Sequence, residues 1–567
     1  MLLPNEEESQ VVEINPALHI LNSAKDEWLK VSLVERIALI DEMINKTSLE
    51  AERWVTSSLL QKGIGVKTPE AAEEWMTGPT VFLRLLRSFR QSLVELNQQK
   101  KISLPKPPTQ RGNDQTSITV FPKNRADSIL FKEMSGEVWF KPGQTPTDVL
   151  NNQAKIYHEA KQEGCISLIL GAGNVSSLSF CDIFHKLFVE NKVVLFKINP
   201  ILSALLPVFK TVFEELIQKG FLQILEGGAD LGAQLCNDPL ISDIHLTGSY
   251  KTYQKIISSV FNVDNKNTSK TKAISAELGN ITPVIIVPSV WSEEELDYQA
   301  ENLVSLMIAN AGFNCITPRI LITHSKWAQR TDFLNKIRNL LAQVTPRVAY
   351  YPGAMETYKK IKTAYPQVEQ IGICHSKDQL PWLLVTDLSV EKEEVCFKEE
   401  VFCSFYAEVS IPAESTIGFL NKAVDFCNKQ LWGTLAATLI CDPVTLSAPS
   451  TKHVIENAIA ELKYGRIDIN VGGGMGRYFA NFPVGPYPAE NIFSVQSGVG
   501  FTANALLLPD PQKILVRGPF YRKMKPVHFI TQKNKRNLAI LMTRYEAKPG
   551  FFNFLKLLAA VVLSKPK

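Results

Sequence analysis

The chain has 567 residues, too many for one ordinary core, so two or three domains are expected. Its 45% hydrophobic and 21% charged residues are those of a soluble globular protein, and a net charge of +4 gives no ground for nucleic-acid binding. Nine cysteines lack C-x-x-C spacing and eight scattered histidines form no H-E-x-x-H, so neither a disulfide framework nor a metal motif is visible; free thiols in a reducing, cytoplasmic setting are expected.

The opening, Met1-Leu-Leu-Pro-Asn-Glu-Glu-Glu-Ser9, has no basic stretch followed by an apolar one and does not read as a signal peptide. Residues up to about 100 read as helical. Ser32-Leu33-Val34-Glu35 is a capping box, followed at helical spacing by Ile37, Ile40, Met43 and Ile44, and a second helical stretch covers about 80–98. After a Pro-rich loop at 105–114, the pattern from Ser117 to Lys141 turns strand-like, and Ile129–Phe131 with Val138–Phe140 predicts a hairpin.

The middle alternates clearly. Strands are predicted at Ile166–Leu170, Val193–Phe196, Leu222–Leu225 and Ile244–Leu246, with helices at about 177–190, 202–219, 229–237 and 250–260. This rhythm makes right-handed βαβ units and a parallel sheet, whose ligands bind at the carboxyl ends of the strands. The polar segment Asn262–Lys272 reads as surface. A second α/β block from about 277 to 470 has strands at Pro283–Val287, Arg319–Ile322, Val401–Val409 and Thr434–Ile440. Beyond Gly472 the chain becomes rich in Gly, Pro and aromatic residues, as suits a segment covering a cleft.

The chemistry-bearing residues follow the strand ends. Gly171-Ala-Gly-Asn174 follows the first strand of the middle region, and Lys197-Ile-Asn-Pro200 the second. Thr247-Gly248-Ser249 opens a helix whose N-terminal amides suit a pyrophosphate, although an ordinary N-cap explains it equally. Glu277-Leu-Gly279 ends in a turn, Asn310-Ala-Gly-Phe-Asn-Cys315 sets a cysteine in a small-residue stretch, and Lys398-Glu-Glu400-Val-Phe402 comes later. A cysteine and a carboxylate that meet in one cleft can perform covalent catalysis, the thiolate taking up an acyl group and the base activating water.

These motifs, in this order, resemble the aldehyde dehydrogenase superfamily over about residues 20–510. The resemblance implies an α/β fold: a Rossmann-like cofactor domain (1–126 and 149–276, with the N-terminal helices), a catalytic domain (277–489), and a small bridging β-sheet (127–148 and about 490–520) that makes homo-oligomers such as dimers. Residues 521–567 form an extension with an apolar tail. It further implies that Cys315 is the nucleophile, that Asn174 and the Cys315 backbone N–H hold the oxyanion, and that Glu277 deprotonates the hydrolytic water. Lys197, Gly248, Ser249, Glu400 and Phe402 would bind NAD or NADP. The implied substrate is a small-molecule aldehyde, with no metal and no nucleic acid.

Several positions depart from the family pattern. Pro200 stands where a ribose-binding glutamate is common, which leaves the choice between NAD and NADP open. Gly173 replaces a tryptophan beside Asn174, Phe313 a glutamine before the cysteine, and Asn280 the second glycine after Glu277-Leu. Two other readings remain: a CoA- or carrier-linked enzyme of the same superfamily that forms or reduces a thioester, and a non-catalytic scaffold. The apolar stretch Phe551–Leu563, shorter than the ~20 residues of a membrane-spanning helix, reads either as core packed on the protein or as an interfacial helix at a membrane.

Overall fold

The computed structural model describes residues 14–112, 114–159, 161–261 and 272–563; the expectations for Met1–Ser9 and for 262–271 lie outside it. Helix Leu33–Gln61 starts at the capping box, with the Ser32 hydroxyl accepting from the Glu35 N–H and the Glu35 carboxylate accepting from the Ser32 N–H. Helix Pro79–Gln99 follows after a short helical turn. Both bury aromatic rings against the first sheet's helices. Trp54 stacks on Phe180 at 3.9 Å, Phe180 stacks on Phe209 at 3.8 Å, and Phe82 lies 5.4 Å from Phe180. Truncating such a ring to alanine costs about 3–5 kcal/mol. The same core anchors helix Ser176–Phe184, which begins two residues after Asn174, and Trp54 donates to Ser176 at 2.8 Å.

The first sheet has six strands. Its order is Gly498–Val499, Ala273–Glu277, Asp243–Thr247, Ile166–Leu170, Val193–Lys197 and Leu222–Leu225. All pairs are parallel except the short Gly498–Val499 edge. The predicted strands and the helices Ala229–Asn237 and Tyr250–Val260 fall where the alternation puts them. The stretch predicted as one helix over 202–219 is instead broken into a 3₁₀ turn, Pro200–Leu205, and two short helices, Leu206–Val212 and Glu214–Gln218. The 3₁₀ turn starts with Pro200 at a position where a missing N–H is harmless.

The second sheet has eleven strands. Thr282–Ile286 lies between Ala436–Ile440 and Pro318–His324, and Phe405–Ile411, Trp382–Leu388 and Glu369–Ile371 extend that side. On the other side Arg466–Ile469 pairs in parallel with Pro511–Arg517. That strand pairs antiparallel with Ser135–Phe140, which pairs with Gln115–Phe121 and, through it, Thr109–Arg111. The expected hairpin is therefore shifted. Ile129 and Leu130 lie in helix Arg125–Leu130, capped by Asn124, and the partner of Ser135–Phe140 is the earlier strand Gln115–Phe121. These strands continue the chain's own second sheet through Pro511–Arg517. Val401–Ser404, predicted as strand, precedes the strand that begins at Phe405. Among the described residues no helix is long and apolar enough to cross a membrane, and no three His, Cys, Asp or Glu side chains are grouped to hold a metal ion. All nine cysteines are free thiols.

Candidate active site

The carboxyl edge of the six-stranded sheet collects most of the singled-out residues. Leu170, just before the Gly171–Asn174 loop, is in register with Lys197, and Thr247, just before Gly248, is in register with Glu277. The Gly248 N–H donates to the Glu277 carbonyl at 3.1 Å, so the glycine turn and the carboxylate share one backbone link. Ser249 caps helix Tyr250–Val260, its hydroxyl accepting from the Thr252 N–H at 3.2 Å. The cap leaves other first-turn amides of this helix facing outward. Lys197 is buried along its stem against Gly232. Its ammonium has no ion pair among the described residues, and burial pulls its pKa down.

The cysteine stands on a strained loop. After helix Glu293–Ile308 the chain makes a tight turn at Ala309–Gly312 in which Asn310, Ala311 and Gly312 have φ of 51°, 57° and 81°. Left-handed backbone costs a non-glycine residue roughly 1–2 kcal/mol, so the turn must be held from outside. Gly312 is required twice over, because a Cβ there would also lie 3.0 Å from the Cys403 carbonyl. The hold is a buried polar knot. The Lys62 ammonium donates to Glu74 at 2.6 Å, to the Asn310 side-chain oxygen at 2.8 Å and to the Asn174 carbonyl at 3.0 Å. Burial alone would favour neutral Lys62, but Glu74, Tyr350 and Glu73 together outweigh it and hold its pKa above the usual lysine value. The Tyr350 hydroxyl lies 2.9 Å and 3.1 Å from the same two oxygens, and the Asn310 amide reaches the Asn174 and Phe313 carbonyls at 3.0 and 3.1 Å. Arg319 donates to the Gly312 and Cys403 carbonyls from below, and Thr282 donates to the Cys315 carbonyl at 3.2 Å.

This knot joins Asn174 to the cysteine loop. The Asn174 side-chain amide donates to the Phe313 carbonyl at 3.0 Å, two residues before Cys315. Glu277, 7% exposed, faces the same place, and it is not free: Arg477, in the short helix Met475–Phe479, donates to its carboxylate at 2.6 Å. Burial first, and then the charges of Glu277 and Glu400, push the Cys315 thiol well above its ordinary range, while Arg477 opposes them. Burial works against the Arg477 charge too, but Glu277, Cys181, Asp182 and Cys315 together outweigh it. Thiol, carboxylate and guanidinium thus form one electrostatic unit.

Glu400 completes the cluster. Its carboxylate packs so closely on Gly279 that a Cβ at that position would lie 2.0 Å from it. That contact explains the glycine of Glu277-Leu-Gly279 through a segment more than a hundred residues away. Burial raises the Glu400 pKa to about 7, against the pull of Arg319 and the Asn280 backbone N–H, and its Oε1 is buried without a hydrogen-bond partner among the described residues. Phe402 packs on Tyr351 at 4.9 Å and on Phe313 at 5.7 Å, and Phe313 meets Tyr350 at 5.1 Å, so four aromatic rings line one side of the cluster. Asn280 is wholly buried and bonds Thr282 and the Ala436 carbonyl, which makes it a tie between strands.

Cys315, Glu277, Asn174, Glu400 and Phe402 are therefore gathered, with Gly248 linked through the backbone. Lys197 and Ser249 sit on the same sheet edge, with no contact to the cysteine cluster. Sequence reasoning did not single out Arg477, Lys62, Glu74, Tyr350 or Tyr351. The one hint was the run Gly472-Gly-Gly-Met-Gly476 before Arg477, since glycines mark a close approach of backbone to other groups; a Cβ on Gly476 would meet the Arg466 guanidinium at 2.7 Å.

Residues 148–354 match the family model described as the aldehyde dehydrogenase family. Among curated proteins the chain is similar to betaine aldehyde dehydrogenase 1 of Oryza sativa subsp. japonica, 31% identical over 119 residues, which is 21% of each chain. It is also similar to 4-trimethylaminobutyraldehyde dehydrogenase A of Danio rerio, 26% identical over 94 residues, 16% of this chain and 17% of that one. The chain thus spans about a fifth of the length of the curated relatives it matches. Solved structures share the fold far more widely. A gamma-glutamyl-gamma-aminobutyraldehyde dehydrogenase from Burkholderia cenocepacia superposes with a TM-score of 0.61 at 15% identity, over 89% of this chain and 88% of that one. An NADP-dependent glyceraldehyde-3-phosphate dehydrogenase from Bacillus halodurans, solved with NADP, gives 0.59 at 16% identity, over 89% and 90%.

Proposed function

We propose that this chain is a member of the aldehyde dehydrogenase superfamily and oxidises an aldehyde to a carboxylic acid through a covalent adduct on Cys315, with NAD or NADP as hydride acceptor. The observation that carries the reading is the convergence of Cys315, Glu277, Asn174 and Glu400 at one sheet edge, held there by the Lys62 knot. Residues of this edge fit a dinucleotide. Glu400 has an orphaned buried oxygen for a ribose hydroxyl, Lys197 an unpaired ammonium for the adenosine ribose, and Gly248 and Ser249 open an eleven-residue helix toward a pyrophosphate. Phe402 would flank the nicotinamide. With Pro200 in place of an acid beside that ribose, the choice between NAD and NADP stays open. Bound NAD or NADP supplies the acceptor for the hydride lost by the substrate carbon.

The protein's own groups do the rest. Cys315 is a neutral thiol at rest, since its surroundings disfavour the thiolate, so its proton has to leave as the sulfur attacks the aldehyde carbon. Glu277 is the carboxylate placed to accept it. The oxyanion that forms is held by the Cys315 backbone N–H and by the Asn174 amide, which needs only to turn from the Phe313 carbonyl to reach it. Loss of hydride leaves a thioester on sulfur. Once Glu277 has passed the thiol proton to solvent, its carboxylate, released from Arg477, takes a proton from water. The hydroxide displaces the sulfur to give the acid, and Glu277 returns that proton to the Cys315 thiolate.

The Arg477–Glu277 contact at 2.6 Å favours a second reading. A carboxylate kept on its guanidinium is a poor water base, and a thioester then waits for CoA or a carrier thiol. Incubating the enzyme with a panel of short, aromatic and long-chain aldehydes, with each nucleotide and with or without CoA, separates the two. Acid formed without CoA supports hydrolysis, whereas turnover that starts only when CoA is added overturns it in favour of acyl transfer. The homo-oligomeric state and the cytoplasmic setting belong to the same reading, and light scattering of the purified chain measures the first.

A further inference from the structure

Charge is unevenly placed along this chain. Residues 521–567 hold eleven lysines and arginines and one acid, Glu546, a net +10, while the whole chain is +4 and the preceding 520 residues are therefore −6. Glu546 does nothing for the outer charge, because it is buried between Arg84 and Arg87. Lys523, Lys533, Arg544, Lys548 and Lys556 are all exposed.

Among these charges lies an apolar face that covers no other part of the described residues. Helix Phe551–Leu563 packs on helix Lys535–Ala547 with Leu557 and Ala560 turned inward, and Phe554 lies 6.0 Å from the Tyr545 ring. Its opposite side carries Phe551, Phe552, Leu555, Ala559, Val562 and Leu563, at the helical spacing that puts them in one stripe. Phe551, Phe552 and Leu563 remain 70%, 78% and 81% exposed. A helix that served only as core would turn its phenylalanines inward.

From this stripe and its charge we infer that residues 521–563 form a peripheral docking surface for an anionic phospholipid bilayer, with helix Phe551–Leu563 lying in the plane of the headgroups. Thirteen residues are too few to span a bilayer of about 30 Å, but an apolar stripe flanked by lysines is the pattern that settles at the interface. Charge selects this occupant over a second copy of the chain. With Lys525 and Lys535 paired to Glu301 and Glu70, the outward charge rests on Lys523, Lys533, Arg544, Lys548 and Lys556. Pairing two such faces would press these like charges together, whereas an anionic surface neutralises them.

The test uses the full chain and two kinds of vesicle, phosphatidylcholine alone and phosphatidylcholine with phosphatidylglycerol. Co-sedimentation is expected with the anionic vesicles, weakly with the neutral ones, and with loss in high salt. Phe552→Glu with Leu563→Glu, both on the exposed stripe, should release the protein at least tenfold while aldehyde turnover in solution stays unchanged. Lys548→Gln and Lys556→Gln should each weaken binding about fivefold, the effect of one basic residue near an anionic surface. Equal binding to both vesicles, or none to the anionic ones, would overturn the inference. So would a Phe552→Glu, Leu563→Glu protein that keeps its vesicle binding but changes oligomeric state, which would make the stripe a contact between copies. Salt-sensitive binding of duplex DNA without vesicle binding would assign the charge to nucleic acid instead.

Discussion

The two parts of the candidate site are built in opposite ways. Around the cysteine loop the polar groups are paired within the protein: Lys62 has three oxygen partners, Asn310 bonds through both ends of its amide, and Glu277 is clasped by Arg477. Along the edge proposed to take the nucleotide the groups are left without partners. Lys197 has no ion pair and Glu400 has a buried oxygen without a partner among the described residues. In the proposed function this difference separates two tasks. A nucleophile on strained backbone needs its geometry fixed in advance, whereas groups that recognise a ligand must hold bonding capacity in reserve.

The sharpest test of the contrast is Cys315→Ala. Turnover should fall by at least about 10³-fold, as when a covalent nucleophile is removed, while nucleotide binding, followed by fluorescence titration, stays within about twofold. A variant that keeps its turnover removes the cysteine from the mechanism. Next comes Lys62→Met, which leaves Glu74 buried and unpaired. Breaking a buried pair from one side costs about 3–5 kcal/mol, so the urea midpoint should drop, and kcat with it, because the left-handed turn at Asn310 loses its tether. A midpoint unchanged from the parent protein would mean that the knot does not hold the loop. Arg477→Met acts on charge instead. Removing the guanidinium takes away the cation that opposes the rise of the Cys315 thiol, so the limb of the kcat profile set by thiol ionisation should move up by about one pH unit. A profile that does not move would show that Arg477 does not bias the thiol.

How much of this was legible in sequence follows from range. The six-stranded sheet could be read because its βαβ units are local: each strand, helix and turn is set by neighbours a few residues away. Asn174, Lys197, Ser249 and Glu277 stand at or just beyond the ends of those locally set strands, so their place on one sheet edge followed from the same signals. What the sequence hid is non-local. Lys62 and Asn310 are 248 positions apart, and Glu277 and Arg477 are 200 apart. Neither Lys62 nor Arg477 stands in a pattern that marks it as buried. The hairpin was misplaced because Ile129 and Leu130 are apolar and next to a strand, but the Asn124 cap, its side chain accepting from the Asp127 N–H, starts a helix there. Ile129, 53% exposed, gives that stretch no reason to pair as a strand.

Lys197→Met tests the open part. Losing one charged hydrogen bond to a ribose should weaken nucleotide binding about tenfold, with little loss of stability, since no partner in the fold depends on that ammonium. A fall in stability as large as that of Lys62→Met would erase the distinction between the two parts.

The smallest effect, and the most specific, belongs to Glu400. With its pKa raised to about 7 by burial, this carboxyl is half ionised at neutral pH. Only the ionised form offers two acceptor oxygens to a ribose diol, so nucleotide affinity should rise about threefold as pH goes from about 6 to 8. Glu400→Gln should bind more weakly and lose that slope. The same group also affects stability, with the opposite dependence. In the unfolded chain it ionises near pH 4.3, whereas in the fold it stays protonated up to about 7. Its contribution to stability is therefore full below the unfolded pKa, is lost as pH rises through the folded one, and is constant above it. Bound nucleotide that hydrogen-bonds the carboxylate should pull the folded pKa down and flatten that loss. A nucleotide affinity that falls between pH 6 and 8 would mean that Glu400 does not meet the ribose as an anion.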